Sequence, residues 1–287
     1  MKKSKLKKYI VLGIVAAISA GLILATTLIG SKKYYPFDDT KMQIVFLGDS
    51  NIANNIDGLT IPDRVAERLG CDVYNAAVGG TTAAKVNTSN YFDRFGDLFC
   101  LYSVTRIMEV EEYQVLLDSY DSLYFNEREG IGNMNMLVNI EYDKVDYVVI
   151  NYGVNDYMAG IPAYSDDEPY DELTYEVALR SSVERIRNLC PDCTIILSGI
   201  TYCVYANGAA DEDGIGGDAQ IDYAIAAQNV ASEYDNVIFM DNLDLPIDAH
   251  NHTEYLLDGI HFNGYMLELY VDRLVSIITE IESSKDE

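Results

Sequence analysis

Apolar and polar positions along this chain follow two periods, and the switches between them mark an orderly series of elements. Residues 43–47 form a short apolar run that stops at Gly48, as a buried strand does. Residues 61–69 set Ile61, Val65 and Leu69 four apart, one face of a helix, with Gly70 as its stop. A second strand is expected over 72–77, and Thr81 or Thr82 is placed to cap a helix after it. The stretch 91–138 is the least regular, with a helix expected over 104–120 and a loop carrying Gly130 and Gly132. Residues 145–152 are almost continuously apolar, the pattern of a central strand buried on both faces of a parallel sheet. A helix over 173–189, a strand over 194–197, a helix over 221–234, a strand over 237–240 and a closing helix over 266–281 complete the series. Five strands alternating with helices predict an α/β fold. A five-stranded parallel sheet should lie between two helical layers, with any site beyond the carboxyl ends of the strands.

The first 33 residues differ in kind from the rest. Lys2, Lys3, Lys5, Lys7 and Lys8 precede an uncharged, largely apolar run over 10–30, which Lys32 and Lys33 close. As a helix, about 21 residues span roughly 31 Å, close to the thickness of a bilayer core. A cleaved signal peptide has an apolar region of only about 7–15 residues, and Ala25 and Thr27 make a mediocre cleavage site. The pattern therefore predicts one uncleaved N-terminal transmembrane helix, with secretion after cleavage as the alternative. Five lysines before the run against two after it place the amino end inside. Residues 1–33 would then be a cytoplasmic lysine-rich stub and membrane anchor. Residues 34–287 would be an extracellular domain, long enough for one large core.

All 46 acidic residues lie in that second segment with 13 of the 20 basic ones, a net charge of −33. So negative a surface disfavours nucleic acid, anionic lipid and polyphosphate partners. Five cysteines cannot all pair within one chain. Cys190 and Cys193 are close, but they sit where a helix ends and a strand begins, the reverse of a thioredoxin-like redox pair. A local disulfide or plain thiols fit them better, and no second pair exists to complete a structural zinc site. Cys71, Cys100 and Cys203 read as small apolar residues at element ends.

Four short blocks carry the chemistry: Gly48-Asp49-Ser50, the segment from Asn75 to Gly80, Gly153-Val154-Asn155-Asp156, and Asp258-Gly259-Ile260-His261. A serine hydroxyl needs an adjacent base to become a nucleophile, and Ser50 falls at a strand-to-helix turn that Asp49 can hold through nearby backbone. His261 is the candidate base. Asp258, three residues earlier, can reach its ring and fix which nitrogen carries the proton, the orienting role of the acid in a serine triad. His250 and His252 have no acid at comparable spacing and read as loop residues. Donors for a developing oxyanion are the backbone N–H groups of Ser50 and Gly80 and the side-chain amide of Asn155. Alone, each block is an ordinary turn or cap; their common placement beside strand ends or helix starts makes them a site.

On these blocks the chain resembles the SGNH/GDSL hydrolase family, named for a Ser, a Gly, an Asn and a His. Ser50 matches the family's Gly-Asp-Ser, Gly80 its Asn-x-x-x-x-Gly, Asn155 its Gly-x-Asn-Asp, and Asp258 and His261 its Asp-x-x-His. The resemblance runs from Gln43 to the closing helix. It implies a flavodoxin-like three-layer α/β/α sandwich, catalytic Ser50, Asp258 and His261, an oxyanion hole of Ser50, Gly80 and Asn155, and supporting roles for Asp49 and Asp156. It also implies ester hydrolysis through an acyl-serine intermediate, with no metal and no organic cofactor. The Gly-x-Ser-x-Gly elbow of the larger α/β-hydrolases is absent. The long segment 91–138 and the acidic loops 161–172 and 206–220 lie outside the blocks and bear on substrate, not on reaction. The second loop holds Asp211-Glu212-Asp213-Gly214 and Asp218 but lacks calcium-loop spacing.

These readings predict a membrane-anchored extracellular serine esterase whose partner is an ester-bearing small molecule or an acylated glycan of the cell envelope. An acyltransferase with the same triad and a non-catalytic envelope-binding protein are the two alternatives. The intact Ser50, Asp258 and His261 count against the latter.

Overall fold

Residues 44–47 and 147–150 are apolar at successive positions, so the central strands they form must bury both faces. The computed structural model describes residues 38, 40–86, 97–120, 137–164, 172–204 and 218–285, and in it each face meets helices. Strands β1 (Gln43–Gly48), β2 (Asp72–Asn75), β3 (Tyr147–Asn151), β4 (Thr194–Ser198) and β5 (Val237–Met240) form one parallel sheet in the order β2-β1-β3-β4-β5. Phe46 lies between Asn75 and Val149, and Ile150 between Leu47 and Leu197. This is the doubly wound order in which the chain reverses its direction of travel between β1 and β3, opening a crevice there.

The helices are α1 (Ser50–Ala53), α2 (Ile61–Leu69), α3 (Leu101–Val110), α4 (Gln114–Tyr120), α5 (Val154–Ala159), α6 (Tyr175–Leu189), α7 (Gln220–Ser232), α8 (His252–Tyr255) and α9 (Gly264–Lys285). Side chains alternate across a strand, and the two cores follow that alternation. Ile44, Phe46, Tyr147, Val149 and Ile196 pack with Ile61 and Val65 of α2 and with Met266, Tyr270 and Leu274 of α9. Val45, Leu47, Val148, Ile150, Ile195 and Leu197 pack with Val104 of α3, Val183 and Ile186 of α6, and Val230 of α7. Each such side chain stabilises the fold by about 1.5–3 kcal/mol when fully buried. The predicted five-stranded parallel α/β fold is therefore what the chain adopts.

Helix ends follow local chemistry. Thr60 and Asp63 exchange side-chain and backbone bonds in a capping box at the start of α2, and Gly70 ends it with φ +66. Asn263 accepts from the backbone of Tyr265 and Met266 at 3.0 Å each, so α9 starts at Gly264 and runs to Lys285, longer than the expected 266–281.

Three expectations need correction. The helix expected over 104–120 is two helices, because Glu111 takes the left-handed conformation (φ 57) and closes α3. The second strand ends at Asn75, not 77, because the Asn75 side chain accepts from Ala77 N–H and turns the chain out of regular pairing. Thr81 and Thr82 cap no helix. Their hydroxyls donate to Val78 and Ala84 carbonyls, and the following N–H groups of Ala83 and Ala84 go to Asp156 instead.

All five cysteines are free and buried. No helix among the described residues is long and apolar enough to cross a membrane. The span expected over 10–30 lies outside the described residues, as do Gly130, Gly132 and Asp211-Glu212-Asp213-Gly214. Asp218 accepts from the Ala163 N–H at 2.8 Å.

Candidate active site

Where β1 gives way to α1, the chain turns back on itself within two residues. A Cβ at Gly48 would stand 2.7 Å from Ile52 Cγ1 and 3.2 Å from the Asn151 carbonyl, so only glycine lets α1 fold this close to the sheet. Asp49 caps α1, its Oδ1 accepting from Asn51 N–H at 2.9 Å. Ser50 is thereby the first residue of α1, with its N–H among those a helix leaves without an internal partner.

His261 reaches the same crevice from a loop between α8 and α9. Leu256 and Phe262 pair across the loop's neck, and Leu257 N–H donates to the His261 carbonyl at 2.8 Å. Gly259 has φ +88, and its carbonyl accepts from Val204 N–H at 2.7 Å. A Cβ there would lie 3.0 Å from the Val204 carbonyl, so this turn also requires glycine. Asp258 Oδ1 accepts from the backbone of Ile260 (3.0 Å) and His261 (2.9 Å), which leaves Oδ2 for the ring Nδ1 at 2.7 Å. On the far side of the ring, Nε2 lies 2.8 Å from Ser50 Oγ. Hydroxyl, imidazole and carboxylate form one continuous row. With Nδ1–H donating to Asp258 Oδ2, Nε2 presents a lone pair to the hydroxyl. Partial burial works to raise the Asp258 carboxyl, but the backbone N–H and ring of His261 and the Ile260 N–H hold it below the ordinary value.

Gly80 lies exposed in the turn after β2, and Asn155 in the first turn of α5 beyond β3. The Asn155 amide donates to the Thr81 carbonyl at 2.9 Å and to Asp49 Oδ2 at 3.3 Å. Asp156 is fully buried and accepts from Ala83 N–H (2.9 Å) and Ala84 N–H (3.0 Å). The four blocks are thus tied together. Asp49 joins the first to the third, Asn155 and Asp156 join the third to residues 81–84 directly after the second, and Ser50 meets His261 of the fourth. Burial raises Asp49 to about 6 against its Asn51 N–H bond, and Asp156 to about 7 against those of Ala84 and Ala83. His250 and His252 stay outside the row; His250 is exposed and the His252 ring faces the Ala249 carbonyl at 3.1 Å. Among the described residues, no group of three His, Cys, Asp or Glu side chains could hold a metal ion. Sequence reasoning missed Thr81, whose carbonyl anchors Asn155. It also missed Asn51, which follows Ser50 directly and is buried (5% exposed).

A model of the GDSL-like lipase/acylhydrolase family matches residues 46–266, most of the chain and all four blocks. The chain belongs to this family. It is a GDSL-type serine hydrolase acting on ester bonds. The search of the curated proteins gives no match. Among solved structures, the GDSL hydrolase is similar in fold to a protein from Lactobacillus plantarum, with 15% identity, TM-score 0.57, and coverage of 84% of this chain and 97% of that one. It is also similar to a protein described as a possible lipase from Chitinophaga pinensis, with 15% identity, TM-score 0.51, and coverage of 84% and 99%.

Proposed function

We propose that this GDSL hydrolase is a membrane-anchored extracellular esterase that removes O-acyl groups from carbohydrate or cell-envelope glycan through an acyl-serine intermediate. One observation carries the mechanism: the unbroken row from Ser50 Oγ through the His261 ring to Asp258. Ser50 Oγ attacks the ester carbonyl carbon while its proton passes to His261 Nε2, and Asp258 stabilises the ring as it becomes cationic. The carbonyl oxygen becomes an oxyanion held by the N–H groups of Ser50 and Gly80 and by the Asn155 amide. Collapse breaks the bond to the alcohol oxygen, which leaves with the proton from His261. Water, deprotonated by the same nitrogen, then attacks the acyl-serine and frees the acid. The side chains of His261 and Asp258 are 29% and 54% exposed, so water reaches the row; that supports hydrolysis over transfer to another alcohol.

Location rests on the lysine-flanked apolar run over 10–30, which assigns residues 1–33 to stub and anchor and residues 34–287 to the hydrolase domain outside the cell. The test of the chemistry is labelling with a serine-reactive fluorophosphonate. Ser50 should take the label, and Ser50→Ala and His261→Ala should each reduce ester turnover to near background. An unlabelled Ser50 in folded protein, or full turnover by Ser50→Ala, would remove this mechanism.

A further inference from the structure

The catalytic loop carries its own acid and base, since Asp258 and His261 bond each other within it. What it cannot set from within is how far His261 stands from Ser50, which lies on another element. Among the described residues, the tip of the loop (257–261) makes two hydrogen bonds outside itself. One joins His261 to Ser50, the contact that has to be placed. The other runs from Val204 N–H to the Gly259 carbonyl at 2.7 Å. A Cβ at Gly259 would lie 3.0 Å from the Val204 carbonyl, so the two backbones touch with no slack between them. Where Val204 sits decides where the loop sits.

Val204 is held in turn. Residues 202–204 lie beyond the end of β4 and alternate between the two cores as a strand does. Tyr202 and Val204 join the core that includes Leu256 and Phe262 at the neck of the loop, and Cys203 joins the opposite one. The side-chain amide of Gln220 stands where a neighbouring strand would. Its Nε2 donates to the Cys203 carbonyl at 2.7 Å, and its Oε1 accepts from the Cys203 N–H at 3.1 Å. Without that clasp both backbone groups of a buried residue would lose their partner, which is costly. Gln220 is itself buried and opens α7, whose Ala226, Ala227 and Val230 are packed in the core, so the clasp has a fixed support. Resting on the reading above that His261 activates Ser50, we propose that Gln220 is a positioning residue for the reaction. Through Cys203 and Val204 it holds the loop at the height where His261 Nε2 meets Ser50 Oγ.

Fluorophosphonate labelling of the full-length protein separates position from folding. The endpoint counts folded sites, and the rate per site reads the alignment of His261 with Ser50. Gln220→Met keeps the volume and loses both bonds. It should label about ten- to a hundredfold more slowly per site, the effect of roughly an ångström of misplacement. With p-nitrophenyl acetate, kcat should fall while KM changes little. The pH midpoint of kcat/KM should stay at its wild-type value, because Asp258 and His261 move together. Gln220→Glu keeps the bond from the Cys203 N–H but sets an oxygen against its carbonyl, so it should be slowed too, and it decides the matter if Gln220→Met does not fold. Thr105→Val breaks a buried bond to Ser182 in the helical layer and should label at the wild-type rate. A wild-type rate per site in the Gln220 variants, with only the endpoint lowered, overturns the positioning role and leaves the triad intact. So does a shifted pH midpoint, or equal slowing by Thr105→Val. Wild-type protein that takes no label at Ser50 sinks the triad reading itself, and the role of Gln220 with it.

Discussion

The Asn155 amide is already occupied in the resting site, by Thr81 at 2.9 Å and Asp49 at 3.3 Å. To serve an oxyanion it must turn one hydrogen away from the longer, weaker of these bonds, a small motion that keeps the shorter one as a pivot. Asn155→Ala should therefore cost about 100- to 1,000-fold in kcat, with KM changed far less. Steady-state kinetics on one aryl ester separates the two, and a loss confined to KM would assign Asn155 to substrate binding instead. The two buried carboxyls beside it make a second prediction. Asp49 and Asp156 are raised to about 6 and about 7, from 3.8 for a free carboxyl. In that interval the native state binds more protons than the unfolded chain. Their contribution to stability is fully present below about pH 4 and is lost as pH rises through 6 to 7. Urea unfolding at pH 5 and pH 8 should show the drop. Asp156→Asn, which cannot titrate, should flatten it; an unchanged slope would mean that Asp156 stays ionised across the range.

At the scale of elements, the joint between β1 and α1 fixes the nucleophile. Gly48→Ala would drive a methyl into Ile52, itself fully buried, and toward the Asn151 carbonyl of the neighbouring strand. Overpacking of this kind costs about 1–3 kcal/mol. Denaturant unfolding should show that loss, together with a fall in kcat as Ser50 shifts from His261; wild-type stability would mean that the joint has slack. The same joint shows what sequence could reveal. The central parallel strands are continuous apolar runs and β2 is not, yet all five were legible to within two residues at either end, and the four blocks stood out because each lies beside a strand end or a helix start. Contacts made across the fold were not legible. Glu111 breaks a helix without the Gly or Pro that announces a break, and the buried Asp156 takes the Ala83 and Ala84 N–H groups that a capping Thr81 or Thr82 would have accepted. Asn155 could be picked as an oxyanion donor from its motif, but its anchorage on Thr81 and Asp49 joins residues 74 and 106 positions apart. The Asn263 cap went unread, and the closing helix was expected to start two residues late, at 266.

Across the whole molecule, charge is divided sharply. Seven of the 20 basic residues and none of the 46 acidic ones lie in residues 1–33, while the remainder carries −33. A domain so negative is repelled by anionic headgroups, within a Debye length of about 10 Å at 0.1 M salt. Electrostatic adsorption of residues 34–287 to an anionic bilayer is thus disfavoured, and the proposed anchoring rests on the apolar run over 10–30 alone. An embedded helix and an adsorbed protein respond oppositely to harsh washing. High salt and alkaline carbonate strip surface-bound protein and leave a spanning helix in place. The full-length chain should stay with the membrane pellet through both washes. Protease added to intact cells should degrade residues 34–287 and spare the lysine-rich stub, as the five lysines before the run and two after it require. Release into the medium with a new amino terminus just after Thr27 would make the run a cleaved signal instead. The esterase would then act at a distance from the cell that made it, on whatever acylated glycan it meets, rather than within reach of its own envelope.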